Sequence, residues 1–288
     1  MNYHLIIGFG YWSKTNLNYL SKKKIFDTII IKTRKKYFNF SNGSTINNNQ
    51  LKKIKEKITS IHICAPLKHH FSILKNFNSF KKTIVEKPFL EKISQFNSIK
   101  KIYKNRYFIV NYIDTFNPLI GKISKSIQKK DYNRITLNYS KREKFYKNKN
   151  EFALEWLDHP LSLILLIFKK FPKFNIEINQ LRKRNKKFNR KVIINYFFKN
   201  FELKIKLNCS KNTERNLQIN KSKYVETFHF VKNSIDKNNK KVYQSKKGSF
   251  DNFYNLLKKG KKSSIQNFEF HKKIILERNK ILKKINKI

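Results

Sequence analysis

Three short stretches carry residues whose types and spacing suit chemistry. Near the amino terminus, Gly8-Phe9-Gly10-Tyr11-Trp12-Ser13 follows the apolar run His4–Ile7 and opens the helical pattern Tyr11–Lys22. A glycine in the first position permits a tight turn, and one in the third lets the backbone approach a pyrophosphate. The next small position lets helix and strand pack closely, and here it holds Ser13. The helix start adds free N–H groups and the positive end of the helix dipole. The second stretch is Val85-Glu86-Lys87-Pro88-Phe89. A lysine held at a strand end can bond a reacting oxygen and share its proton, and before a proline such as Pro88 a cis peptide bond costs little. The third is Glu155-Trp156-Leu157-Asp158-His159-Pro160. Histidine suits acid–base work near neutral pH, and Glu155 is placed to orient it. Asp158 is a competing carboxylate, or the N-cap of a helix in whose first turn Pro160 sits.

The elements that must position these residues fall into two styles. Over the first 112 residues, short apolar runs alternate with helical patterns. The runs are His4–Ile7, Thr28–Ile31, Ile58–Cys64, Thr83–Val85 and Tyr107–Tyr112; the helical patterns are Tyr11–Lys22, Leu51–Lys57, His69–Phe77 and Glu91–Tyr103. Continuous apolar strands alternating with helices predict a parallel sheet covered on both faces. Lys36–Gln50, rich in Asn and Ser, reads mostly as loop with room for one short strand. After Pro118 the rhythm changes. One strongly apolar helix over Phe152–Lys170 precedes β-like runs at Asn175–Leu181, Val192–Phe198, Leu203–Leu207, Leu217–Ile219 and Val225–Val231, separated by charged turns such as Arg182–Arg190. That succession predicts an antiparallel sheet, and helices close the chain at Phe250–Lys259 and Phe268–Ile285.

The second apolar run should end near an adenosine ribose, where an acidic residue favours NAD and a basic one suits the 2′-phosphate of NADP. This chain has Lys32-Thr33-Arg34-Lys35-Lys36 there, so Arg34 tilts the expectation toward NADP, against the alternative of a chance match in a lysine-rich chain.

With the glycine turn, Ile63-Cys64-Ala65-Pro66-Leu67-Lys68-His69-His70 and Glu86-Lys87-Pro88 resemble the Gfo/Idh/MocA family of glucose–fructose oxidoreductase and inositol dehydrogenase-like enzymes. Pro66 and His70 stand at that family's proline and histidine, Ala65 stands where threonine is common, and Glu86-Lys87-Pro88 matches fully. Asn111–Pro118 is similar to the family's linker and Phe250–Lys262 to its late helix, so the resemblance covers most of the chain. It implies a Rossmann dinucleotide-binding domain over 1–118. An α+β domain with an open, mostly antiparallel sheet would follow over 119–288, its C-terminal helix packing back on the first. It implies NAD(P) contacts at Gly8, Gly10, Tyr11, Trp12, Ser13, Arg34, Ala65, Pro66, His70, Glu86 and Lys87. It further implies hydride exchange with a sugar, cyclitol, nucleotide sugar or related carbonyl or hydroxyl compound, with Lys87, His159 and Glu155 as the catalytic group, and a homodimer or homotetramer. The family often carries Asp-x-Gly-x-His in the third stretch; Glu155 and Leu157 depart from it, which leaves a nucleotide-binding protein without catalysis as the alternative.

Composition bounds the rest. Lys and Arg number 66 against 18 acidic residues, a net charge of +48. Such a charge attracts phosphates, and a basic nucleic-acid-binding protein is the rival reading. Yet Ala65 and Ala153 are the only alanines, while Lys, Asn, Ile, Phe and Tyr abound, the pattern of an AT-rich genome. The lysines are spread along the whole chain, so no specific nucleic-acid partner is expected. Leu163–Phe168 is the longest apolar run near the middle, far short of a membrane span. The start Met1-Asn2-Tyr3-His4 lacks the basic region of a signal peptide. Cys64 and Cys209 have no metal-ligand spacing, no metal is expected, and a reducing, cytoplasmic setting fits.

Overall fold

The computed structural model describes residues 3–32, 39–40, 43–142, 149–184, 187–210, 213–260 and 267–287. The chain divides into two compact units, Met1–Asn111 with Tyr254–Ile275, and Tyr112–Phe253 with Leu276–Ile288.

In the first unit the apolar runs become β1 (Tyr3–Ile7), β2 (Thr28–Lys32), β5 (Ile58–Ile63), β6 (Lys82–Glu86) and β7 (Tyr107–Asn111). Ile29, Ile30 and Ile31 are all buried, as are Ile61, Ile63, Ile84 and Val85; successive residues point to opposite faces, so both faces are covered. The loop-like segment before Gln50 instead contributes two short strands, β3 (Asn39–Phe40) and β4 (Gly43–Ile46). The helix α2 (Asn48–Ile54) starts earlier than its apolar pattern because Asn47 and Gln50 form a reciprocal cap, each side chain bonding the other's backbone N–H at 2.9 Å. The sheet order is β3-β4-β2-β1-β5-β6-β7, parallel throughout except for the β3–β4 pair. Chain order reverses at β1, whose neighbours are β2 and β5. In such sheets ligands bind outside the carboxyl ends of the strands at that reversal. The helices α1 (Tyr11–Lys23), α3 (His70–Asn76) and α4 (Phe96–Tyr103) complete the alternation.

The last two helices are α8 (Ser249–Lys259) and α9 (Phe268–Lys287). In the first unit, Phe268 and His271 join Phe89 and Phe108 in an aromatic cluster with ring centroids 5.2–6.1 Å apart. Burial pushes the His271 imidazole down to about 3. A ring whose pKa is lower folded than unfolded leaves the unfolded state holding the extra proton, so it destabilises the fold as pH falls through about 6.5 toward 3. Between pH 7 and 5 this one group accounts for about 2 kcal/mol of lost stability. His271→Phe is expected to remove that part of the acid sensitivity, read as the difference in urea unfolding free energy between the two pH values. An equal fall in parent and variant would count against it.

The second unit contains α5 (Ile120–Gln128), α6 (Lys149–Trp156) and α7 (Asp158–Phe168). The single apolar helix expected over Phe152–Lys170 is thus two, broken at Leu157, and α7 is buried from Asp158 through Leu166. Eight strands form one sheet in the order β15-β14-β13-β12-β8-β11-β10-β9, antiparallel except where β8 (Arg134–Arg142) runs parallel to β11 (Glu202–Ser210). The others are β9 (Phe174–Arg184), β10 (Lys187–Phe197), β12 (Glu214–Asn220), β13 (Val225–His229), β14 (Ser234–Lys237) and β15 (Lys240–Gln244). In β11, Leu203, Ile205, Leu207 and Cys209 are buried and alternate with less buried residues, as a sheet with one covered face requires. The charged stretch Arg182–Arg190 is not all turn: Arg182, Lys183 and Arg184 pair with Asn189, Phe188 and Lys187, so the β9–β10 ladder runs on through it. Among the described residues, no helix is long and apolar enough to cross a membrane.

Candidate functional site

The first cluster lies at the carboxyl end of β1. Gly8 has φ +105°, and a Cβ there would lie 3.0 Å from the backbone of Cys64 and Ala65. Its N–H bonds Lys32 O at 3.0 Å, while Cys64 N–H bonds Ile7 O at 2.9 Å, so the turn is held between both neighbouring strands. Gly10 differs. It is the N-cap of α1 with an extended backbone, and a Cβ on it would meet nothing within 4 Å. The first turn of α1 holds no acidic residue and no side chain caps its N-terminus. A helix N-terminus without a side-chain cap, beside the open space at Gly10, fits a pyrophosphate. Ser13 is buried, and its hydroxyl bonds Gly10 O at 2.9 Å, so it serves the turn's packing. Tyr11 is exposed, with its ring edge-on to that of Trp12. Arg34 lies outside the described residues.

Behind the turn, the Glu86 carboxylate is buried, and one oxygen collects three partners. Asn111 Nδ2 donates at 2.8 Å and Asn16 Nδ2 at 3.2 Å, and His62 Nε2 lies at 3.0 Å. Burial pushes this carboxyl up, but His62, Asn111 and the Lys87 charge outweigh it and hold it below its ordinary value. Tyr254 from α8 donates to Asn16 Oδ1 at 2.7 Å, extending the network. The Cys64 thiol is pushed up by burial and by Glu86. His62, Cys64 and Glu86 offer three potential ligand atoms within 4.8 Å of one another, and one Glu86 oxygen is already engaged by His62, Asn111 and Asn16. His70 is buried, with Nε2 2.7 Å from Ala65 O and Nδ1 3.1 Å from Phe89 O. Burial lowers its pKa, although the carbonyls at both ring nitrogens and the Glu86 charge pull it upward. The ring ties the segment after β5 to the one after β6. Pro66 is exposed and Ala65 half-buried beside it. Lys87 directly follows β6, largely buried, and precedes a cis bond to Pro88.

The second cluster belongs to the other unit and surrounds His159 in α7. Its Nδ1 lies 3.3 Å from Asp114 Oδ2, with both side chains nearly fully buried. Tyr139 OH donates to the same oxygen at 3.0 Å, and Arg215 Nη1 donates to Asp114 Oδ1 at 2.8 Å. Burial raises the Asp114 carboxyl, but Arg215 and His159 overcome it and hold it far below the usual carboxylate range. The His159 ring stacks on Tyr139 and tilts against Trp156, each at 5.9 Å. Asp158 serves the scaffold, its carboxylate pairing with Arg278 at 3.1 and 3.3 Å, both side chains fully buried. It does not cap α7, whose N-cap is Leu157. Glu155 is half-buried on α6, one turn before His159.

Sequence reasoning missed Asp114, Tyr139 and Arg215. Asp114 sits in a stretch read only as a linker, and Arg215 among dozens of basic residues. The one available signal was the rarity of acids in this chain.

No family model matches the sequence, and no curated protein matches it. Solved structures do. A putative myo-inositol dehydrogenase from Sinorhizobium meliloti superposes with a TM-score of 0.75 at 10% identity, over 100% of this chain and 98% of that one. A levoglucosan dehydrogenase in complex with NADH gives 0.72 at 13%, covering 100% and 98%. A Gfo/Idh/MocA family oxidoreductase from Vibrio cholerae gives 0.69 at 11%, covering 99% of each. The chain has the fold of these oxidoreductases from end to end.

Proposed function

We infer that this protein is an NAD(P)-dependent oxidoreductase that exchanges hydride with a sugar, cyclitol or related carbonyl or hydroxyl substrate. The observation that carries the reading is the open space at Gly10, over an uncapped helix N-terminus at the point where strand order reverses. A dinucleotide pyrophosphate is the group that such a place accepts. The nicotinamide would supply or accept the hydride. The end-to-end likeness to a levoglucosan dehydrogenase and a putative myo-inositol dehydrogenase supports a polyhydroxylated substrate.

This chain's residues then have separate roles. Gly8 gives the turn its shape, Gly10 leaves room for the phosphates, and the α1 N–H groups bond them. Glu86, fixed by Asn16, His62 and Asn111, anchors the end of β6 and with it the start of the Lys87 segment. Lys87 bonds the reacting oxygen and shares its proton. In the second unit the Asp114 carboxylate lies 3.3 Å from His159 Nδ1, a placement that favours the proton on that nitrogen and so the tautomer whose Nε2 can exchange a proton with a substrate hydroxyl. Asp114 thereby takes the orienting role that the sequence offered to Glu155.

The test is a calorimetric titration with NADH and NADPH, followed by nicotinamide absorbance with a panel of sugars and cyclitols. Absence of saturable binding by either cofactor would overturn the reading. Cofactor choice is read from Arg34→Asp, which replaces the basic residue that the sequence offers to a 2′-phosphate with an acidic one. NADPH affinity is expected to fall about tenfold more than NADH affinity. Equal losses would show that Arg34 acts only through the general field of the protein.

A further inference from the structure

A cavity open to solvent, wholly within the second unit, has a volume of about 390 Å³. That falls within the roughly 300–1,000 Å³ of ordinary ligand pockets. We propose that it binds the phosphate groups of a small phosphorylated molecule, at a site separate from the one assigned to the cofactor. It lies between α5 and the strands β13, β14 and β15, with Ile235 and Val242 giving it an apolar wall.

In a chain this rich in lysine, lysines around a cavity are expected by chance. Four observations set this group apart. The Lys122 ammonium sits 4.0 Å from the centre of the Tyr243 ring. Lys237 and Lys221 sit 5.0 and 5.6 Å from the centre of Tyr224. The Lys221 side chain is only 2% exposed, with Nζ 3.4 Å from Ser126 O and 3.9 Å from Glu226 Oε2. Glu226, the one carboxylate of the lining, is also taken by the Ser126 hydroxyl, so it is already engaged.

The consequences follow from charge and entropy. Three of the five lining ammonium groups are held by rings or by burial, so less side-chain freedom is lost when a ligand arrives. Lys125 and Lys129 add two more charges, and Glu226 offsets one of the five. The surplus calls for an anion with more than one charge. Because Tyr224 and Tyr243 already carry lysines, recognition falls to the ammonium groups, which bind phosphate as point charges. A phosphate ester or diphosphate suits this arrangement. The inference stands apart from the cofactor reading and survives its failure.

The test uses the full chain carrying Gly10→Val, so that the glycine turn contributes no phosphate binding, and inorganic pyrophosphate as the calorimetric probe at about 150 mM salt, where distant surface charges are screened. Lys122→Ala/Lys237→Ala removes two ring-held lysines. Lys52→Ala/Lys53→Ala removes the same charge from the exposed face of α2. One saturable site is expected, weakened about tenfold or more by the first pair and less than about twofold by the second. Absence of a saturable site, or equal loss in both variants, would overturn the proposal. A short oligothymidylate that displaces pyrophosphate and binds more tightly would assign the cavity to nucleic acid instead. NADH titration of Lys122→Ala/Lys237→Ala on the parent background, expected to match the parent, reports separately on the cofactor site.

Discussion

Gly10→Val is expected to leave the protein folded and to weaken NAD(P) binding about 100-fold or more, some 2.7 kcal/mol. The backbone at Gly10 has φ −99° and ψ −164°, which valine adopts without strain. An added Cβ meets nothing within 4 Å, so no core contact is disturbed. The isopropyl group instead occupies the space over the α1 N-terminus where the pyrophosphate must come close. Gly8 makes the opposite control. There φ is +105° and a Cβ would lie 3.0 Å from the backbone of Cys64 and Ala65, so Gly8→Val should lower the melting temperature as well as binding. Calorimetric titration with NADH, beside thermal melts of both variants, reads the difference. Tight NADH binding by a folded Gly10→Val protein would remove the dinucleotide assignment.

The contrast between the two glycines also shows what was legible in the sequence. The turn, its strand and its helix could be read from Gly8 to Ser13, because the constraint is local: chain direction, backbone angle and helix start are set by neighbours. The isoleucine run of β2 was equally clear, since strands buried on both faces favour unbroken apolar residues, and β5 could be read from Ile58, Ile61 and Ile63 despite the polar residues between them. Reading failed where the determinants were distant or weakly patterned. β8 carries the alternation Ile135, Leu137, Tyr139, all buried, yet its remaining positions are Arg, Asn, Thr, Ser and Lys. β14 and β15 are short and mostly polar, and their pairing is set by the neighbours β13 and β14. The carboxylate beside His159 comes from a residue 45 positions earlier, Asp114, and its charge is balanced by Arg215 from β12. No spacing rule reaches across such separations. The nearby carboxylates Glu155 and Asp158 were the partners a linear reading offered.

Lys87→Ala is expected to slow turnover about 10²–10⁴-fold, the usual worth of a positioned acid–base group, while the NADH dissociation constant changes little. Lys87 follows the last residue of β6, whose Glu86 side chain keeps three hydrogen-bonding partners besides the Lys87 charge, so the segment stays anchored when the ammonium group is removed. Truncation at Lys87 therefore removes the proton partner and leaves the scaffold. A merely structural lysine would lower the melting temperature and the cofactor affinity together, and would leave the pH–rate profile of the residual activity unchanged. His159→Asn should act in the same direction with a smaller loss, and Asp114→Asn tests the pair behind it. The amide keeps the shape of Asp114 but can donate as well as accept. It removes the charge that Arg215 balances and the preference for Nδ1–H on His159. If Asp114 works through His159, the double variant Asp114→Asn/His159→Asn loses no more kcat than His159→Asn alone. If instead the two losses multiply, Asp114 serves the fold or the substrate directly. Lys87→Ala with kcat near the parent's on any substrate found by the panel would take Lys87 out of the mechanism and leave proton transfer to the His159 cluster.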